Sequence, residues 1–395
     1  MARDVVVLSG ARTPMGGYGG SLKDIPTTEL AAQCVRESVD RAGIDAGDVG
    51  HVVFGNVIHT DARDHYLARV AAIKGGLPHA TPAVTVNRLC GSGLQAIVTA
   101  AQTIMLGDAD TAVAGGAESM SRSPYISGVL RWGARMNDTA LVDMLVGALN
   151  DPFDDCHMGV TAENLAERYS VPREEQDALA VQSHQRAGNA IAQGYFKEQI
   201  TPVEVRVKRD TVLFDTDETV RPDSSVDKLS KLRPVFQKGG TVTAGNASSI
   251  NDGAAAVVLM ERELAARRGL RPLGRLVAYS YAGVDPKYMG IGPVPAVRQL
   301  LEKTGLGVDD FDVIELNEAF AAQALSVCRE LGLPPDRTNP NGSGISLGHP
   351  VGATGTVLTI KALYELQRTG GTRALVTMCI GGGQGIAAVF ERDAA

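Results

Sequence analysis

The chain has 395 residues, 44% hydrophobic and 21% charged, a balance that excludes a disordered, collagenous or coiled-coil protein. At roughly 100–200 residues per domain, the length predicts two or three domains. Basic residues (38) are outnumbered by acidic ones (45), the net charge is −7, and aromatics make up 5% with a single Trp, so the basic footprint and stacking platform of a nucleic-acid binder are both missing.

Asp4–Ser9 reads as a strand, Thr28–Ala42 as a helix and His51–Phe54 as a strand. Ser92–Leu106 reads as a helix because Leu94, Ile97, Val98, Ala101, Ile104 and Met105 recur at the spacing of one buried face; Gly107 stops it. Thr111–Ala114 follows as a strand closed by Gly115-Gly116. The stretch 121–247 is richer in charge and proline and reads as an excursion, after which Ala254–Met260 is a strand returning to the first half's sheet. The second half repeats the order: strand Leu276–Tyr281, helix Val294–Thr304, strand Asp312–Leu316, helix Thr354–Gln367 and strand Ala374–Ile380, closed by Gly381-Gly382-Gly383. Alternating strands and helices predict a mostly parallel sheet with helices on its faces. The halves overlay at a nearly constant offset, with Gly43 over Gly305, Asn56 over Asn317 and Cys90 over His349, which predicts an internal duplication of one α/β unit.

Four residues are candidates for chemistry. Cys90, in Asn87-Arg88-Leu89-Cys90-Gly91-Ser92-Gly93, precedes the long helix. The positive end of the helix macrodipole and the free backbone N–H groups there predict a lowered thiol pKa; the alternative is a buried structural cysteine. His349 closes a glycine-rich loop, Asn341–Pro350, ahead of a helix. Packing of the two halves would bring it to face Cys90, and a cysteine with a histidine is the usual arrangement for an activated thiolate. Cys379 ends a strand, where ligand sites of parallel α/β sheets gather, and reads either as an acid/base or as a core cysteine. Asn317 also ends a strand and could hold a water or an oxyanion, or simply form a turn. Gly381-Gly382-Gly383-Gln384-Gly385 is too close to the C-terminus to open a dinucleotide-binding unit.

The five cysteines (34, 90, 156, 328, 379) are scattered and odd in number, which predicts free thiols and a reducing, cytoplasmic setting. The sequence holds no CxxC or His-rich metal pattern. Its apolar runs are expected to fall short of the ~18 residues of a membrane span. The N-terminal apolar run reads as a strand and not as a signal peptide.

The segments Asn87–Ala96, Gly115–Ser121, Val242–Asp252, Asn317–Phe320, Asn339–Gly355 and Cys379–Gly385 resemble, in order and spacing, those of thiolases (acetyl-CoA acetyltransferases and β-ketothiolases), over essentially the whole length. The resemblance implies an α/β fold of five layers, α-β-α-β-α, with duplicated halves at 1–120 plus 248–270 and at 271–395, and an inserted loop domain at 121–247. It implies a homotetramer built as a dimer of dimers, or a dimer at minimum, with acyl-CoA and coenzyme A as substrates and no metal or resident cofactor. It assigns Cys90 as the acylated nucleophile, His349 as the group that takes its proton, and Cys379 as the acid/base at the α-carbon of acetyl-CoA. Asn317 would hold a water that forms one oxyanion site with His349; the N–H groups of Cys90 and Gly381 would form the other. The implied activity is reversible cleavage of short-chain 3-ketoacyl-CoA by a ping-pong route.

For coenzyme A, the resemblance places Arg221 at the adenine, and Leu232, Phe236, Ala244 and Ser248 along the pantetheine. Leu149, His157, Met158, Ala319 and Phe320 fall near its inner end. Lys228 stands where a small hydroxyl residue is expected; it reads as a phosphate contact or an exposed side chain. His157-Met158 and Tyr288-Met289-Gly290 resemble the short-chain branch, in which the two Met side chains close the acyl pocket. The segment Asp151–Asn164 resembles β-ketothiolases that accept slightly longer chains, so a C4 substrate is expected to be preferred and C5–C6 tolerated. Cys90 and Cys379 would form a reversible disulfide if their Cα atoms came within ~7 Å. A decarboxylating condensing enzyme, a non-catalytic acyl-CoA binder and a cysteine hydrolase are the competing readings. The first two fit poorly with Cys90, His349 and Cys379 all present, and the third with a duplicated fold.

Overall fold

The computed structural model describes residues 3–393. Its first half comprises β1 (Val5–Arg12), α1 (Thr27–Ala42), β2 (His51–Gly55), α2 (Leu67–Lys74), β3 (Ala83–Val86), α3 (Ser92–Leu106) and β4 (Thr111–Ser119). An excursion carrying α4 (Met158–Arg168) and α5 (Arg173–Ala192) follows, then β5 (Asn251–Glu261). The second half comprises β6 (Gly274–Gly283), α6 (Pro293–Thr304), β7 (Val313–Leu316), α7 (Ala321–Leu331), α8 (Thr354–Thr369), β8 (Arg373–Ile380) and β9 (Gln384–Glu391). The 3.6-residue periodicity that marked Ser92–Leu106 corresponds to a helix with those bounds.

The main sheet runs β7-β8-β9-β6-β1-β5-β4-β2-β3. Outward from the central β6–β1 pair, β9-β8-β7 mirrors β5-β4-β2, so the duplication is a pseudo-twofold relation about that junction. The sheet is mixed, which corrects the mostly parallel expectation. β2 is parallel to β3 and β4, and β7 to β8, but β5 and β9 run antiparallel to both their neighbours. Strand alternation alone misses this, because β5 returns after the excursion and β9, absent from the sequence reading, folds straight back from β8 through Gly381-Gly382-Gly383.

The two halves keep one register: His51 and Val313 open β2 and β7, Ser92 and Thr354 open α3 and α8, and Thr111 and Arg373 open β4 and β8, each pair 262 residues apart. At this offset Cys90 falls on Gly352 and Asn56 on Glu318, so the overlays of Cys90 on His349 and Asn56 on Asn317 are corrected. The loops correspond but the residues do not, because helix and strand packing fixes element register while a loop can carry its functional side chain elsewhere. Gly93 and Gly355 obey the register and show why it persists: they let α3 and α8 cross with backbones in contact. A Cβ on Gly355 would lie 2.2 Å from the Leu94 nitrogen.

Three apolar clusters make five layers. The central one packs α3 and α8 between the inner faces of both sheet halves, with Leu94, Ile97, Ile104, Ile360 and Leu363 fully buried; each such side chain contributes about 1.5–3 kcal/mol. Helices α1 and α2 cover one outer face, and α6 and α7 the other. The central position explains a departure from expectation: Leu89–Leu106 has the length and mean hydropathy (1.4) of a membrane span. It is apolar because it sits between two sheet faces, the ordinary reason for a helix hydrophobic on more than one side. Residues 120–250 add no strand to the main sheet; they form short two-stranded ribbons and α4 and α5, which pack over the end of the sheet where β4, β7 and β8 terminate.

Candidate active site

The turn Asn87–Ser92 delivers Cys90. Leu89 adopts φ 44°, a left-handed conformation costly for a branched side chain. The turn is held by hydrogen bonds from Leu89 N–H to Asn87 Oδ1 (2.9 Å), from Arg88 N–H to Ser92 Oγ (2.8 Å), and from Ser92 Oγ–H to the Leu89 carbonyl (2.7 Å). Cys90 therefore projects just ahead of α3 into a cavity of about 580 Å³. His349, Cys379 and Gly381 line the same cavity.

Burial pushes the Cys90 thiol up to about 11, although the N–H groups of Gly381 and of Cys90 itself pull it down. This corrects the expected lowering: desolvation of the thiolate outweighs the helix terminus. Cys379 is fully buried at the end of β8; burial and the adjacent Cys90 both raise its pKa. Both cysteines are free thiols.

His349 is held from three sides. Its backbone N–H donates to Asn251 Oδ1 (2.8 Å). Gly348 permits this approach: at φ 108°, a Cβ there would strike the Asn251 side chain at 2.5 Å. The Thr354 hydroxyl donates to the Pro350 carbonyl (2.9 Å), so Thr354 Oγ1 accepts from His349 Nδ1–H at 2.6 Å. The lone pair is thereby left on Nε2, which faces Asn317 Nδ2 at 3.3 Å. Burial lowers the His349 pKa to about 4, so the ring is neutral. Asn317 lies behind His349, fully buried, with Oδ1 making no hydrogen bond to the described residues. The arrangement can move a proton from a thiol to an imidazole and stabilise an oxyanion with backbone N–H groups.

Arg221, Phe236, Ala244, Ser248, Leu149, His157, Met158, Met289, Ala319 and Phe320 all line this cavity. His157 caps α4, its Nδ1 accepting from Gly159 N–H (3.0 Å), and stacks on Phe236 at 4.6 Å. Phe236 meets Phe320 edge-on at 6.1 Å. Met158, Met289, Ala319 and Phe320 form one apolar cluster with Cys379. Two residues expected at coenzyme A are not brought to the cavity. Lys228 is exposed and tied to Asp223, donating to its carboxylate (2.5 Å) and carbonyl (2.8 Å). Leu232 is 39% exposed and rests on Gly245, beside Ala244 and outside the lining. Tyr18, Met120 and Thr219 line the cavity without having been anticipated; they lie far apart in sequence, and of the three only Met120 falls in a family segment, Gly115–Ser121. Asn251 and Thr354 were legible only as members of longer motifs.

Family models describe residues 5–263 as the thiolase N-terminal domain and 270–392 as the thiolase C-terminal domain. The chain is 64% identical to Beta-ketothiolase BktB of Cupriavidus necator over 393 residues, 99% of this chain and 100% of that protein. A crystal structure of the Bacillus anthracis acetyl-CoA acetyltransferase superposes with a TM-score of 0.97 at 45% identity, covering 99% of both chains. Human mitochondrial 3-ketoacyl-CoA thiolase in complex with CoA superposes with a TM-score of 0.96 at 43% identity, covering 99% of this chain and 98% of that one. The duplicated five-layer fold, the shared cavity of two cysteines and a histidine, and these matches along the whole length agree: the chain belongs to the thiolase family and is an acyltransferase.

Proposed function

We propose that the protein cleaves short-chain 3-ketoacyl-CoA with coenzyme A, and condenses two acetyl-CoA molecules in reverse, through an acyl group on Cys90. The observation that supports this most is the convergence of Cys90, Cys379, His349 and Gly381 on one cavity. His349 Nε2 takes the Cys90 proton as the sulfur attacks the 3-keto carbon. The new oxyanion lies on the Cys90 and Gly381 N–H groups. The bond between C2 and C3 breaks, acetyl-CoA leaves as an enolate, and Cys379 gives it a proton. Cys379 then takes the thiol proton of a second coenzyme A, whose sulfur removes the acyl group from Cys90, and His349 returns its proton to the departing Cys90 sulfur. The transfer is ping-pong because the acyl-enzyme separates the two halves. The enolate oxygen sits between His349 and a water on Asn317; each such donor supplies roughly 3–4 kcal/mol.

Coenzyme A enters past Arg221, with its pantetheine along Phe236, Ala244 and Ser248. Met158 and Met289, both buried beside Cys379, limit the acyl pocket. Thioether flexibility leaves room for one or two further carbons, so C4 is preferred and C5–C6 accepted. The protein assembles as a tetramer. In the single chain Tyr125, Leu130, Trp132, Met136 and Leu141 are exposed within one short stretch, a patch that suits burial by another copy.

The test is thiolysis of acetoacetyl-, 3-ketovaleryl- and 3-ketohexanoyl-CoA with a Cys90→Ser control. Cleavage of all three, lost in the control, is expected. Cleavage of acetoacetyl-CoA alone would overturn the chain-length range, and cleavage of none would overturn the activity. Light scattering of the purified protein checks the tetramer.

A further inference from the structure

We propose that Glu118 is a positioning residue for Cys90, its carboxylate tying together two loops that wall the nucleophile. The proposal rests on Cys90 being the nucleophile. Glu118 lies on β4, is fully buried, and takes no part in the steps above. Its Oε1 accepts from Asn56 Nδ2 (3.0 Å) and the Ile58 N–H (3.0 Å). Its Oε2 accepts from the Val57 N–H (3.1 Å) and the Gly352 N–H (2.9 Å). Three donors come from the loop after β2; the fourth comes from the other half of the molecule, between His349 and α8. Val57, and Val351 beside Gly352, are cavity walls.

All four partners are donors, and a protonated carboxyl would need an acceptor for its own hydrogen, so the bonding pattern fits the carboxylate. The fit is close: a Cβ on Gly352 would lie 2.6 Å from Oε2. Burial, with a smaller push from Asp64, raises its pKa to about 8 against the pull of the backbone donors, so the carboxylate is complete in the alkaline range where Cys90 titrates. The charge also raises the Cys90 pKa. Cys379 and His349 are the other titratable groups argued to act at Cys90; desolvation is the main reason the thiol keeps its proton, and the Glu118 carboxylate adds to it.

The test uses the full-length protein and two variants, Glu118→Gln and Glu118→Asp. Read-outs are iodoacetamide labelling of Cys90 against pH by mass spectrometry, thiolysis kinetics and thermal unfolding. In folded Glu118→Gln the labelling midpoint is expected to fall by about one unit. Its kcat is expected to fall roughly ten- to hundred-fold, with KM little changed. Glu118→Asp keeps the charge but shortens the reach, so its midpoint should stay near wild type while kcat falls. A folded Glu118→Gln with an unmoved or raised midpoint overturns the proposal. So does a Glu118→Asp enzyme with wild-type kcat, which decides the matter if Glu118→Gln does not fold. A wild-type protein without thiolase activity would instead defeat the functional reading, and labelling would still test Glu118.

Discussion

The 2.6 Å hydrogen bond between His349 Nδ1 and Thr354 Oγ1 fixes which ring nitrogen can act as the base. Because the Thr354 hydroxyl spends its proton on Pro350, it can only accept, and the Nδ1–H tautomer follows. Replacing Thr354 by Val keeps the shape and removes the acceptor. The expected result is a roughly ten- to hundred-fold fall in kcat with KM little changed, the usual cost of losing a group that orients a reacting side chain. Steady-state thiolysis of acetoacetyl-CoA measures it, and an unchanged kcat would refute the role of Thr354.

Cys90 at about 11 and His349 at about 4 imply a neutral thiol and a neutral imidazole at rest. Alkylation of Cys90 without substrate should therefore keep accelerating into alkaline solution and show no plateau near neutrality. A plateau at pH 7 would indicate a resting ion pair.

The same burial links His349 to acid stability. Its pKa is lower in the folded than in the unfolded chain, so the unfolded state binds the extra proton between about 6.5 and 4. Stability should be complete above that window, fall as pH drops through it, and level off below it. His184, also lowered to about 4, acts in the same direction. For His349 the effect is on the order of 3 kcal/mol. Urea unfolding of wild type and His349→Asn at pH 7 and pH 4.5 tests this; the variant should lose less stability on acidification.

Gly381 offers its N–H to Cys90 from a crowded turn. A Cβ there would meet Met158 Cε at 2.8 Å and Leu89 Cδ1 at 3.2 Å. Both are flexible ends, so Gly381→Ala should fold, but with the donor and the Met158 wall displaced. A fall in kcat of roughly ten-fold or more is expected, within the cost of one oxyanion donor. Kinetics matching wild type would remove Gly381 from the mechanism.

Arg221 and Lys228 are both basic residues of the same loop region, yet only Arg221 borders the cavity. Lys228→Ala should leave the KM for coenzyme A within about two-fold, since it removes only an exposed ion pair. Arg221→Ala should raise that KM several-fold. Equal effects would restore Lys228 as a phosphate contact.

The sequence by itself determined most of the element order, the duplication and the candidate site residues. Helix periodicity as in Ser92–Leu106, and glycine-rich turns such as the one after Cys379, are local signals and survive without tertiary context. The family segments around Cys90, Asn317, His349 and Cys379 carried the proposed chemistry for the same reason. The tertiary structure alone decided what depends on surroundings. Strand direction followed from where β5 and β9 return to the sheet. The rise in the Cys90 pKa followed from desolvation, which no helix terminus announces. Lys228 was turned to Asp223 by the course of its own loop, and Tyr18, Met120 and Thr219 were gathered into the cavity by folding of segments distant in sequence. Glu118 belongs with them: its four donors come from residues 56–58 and 352, and only the packing of one half against the other brings them to one carboxylate.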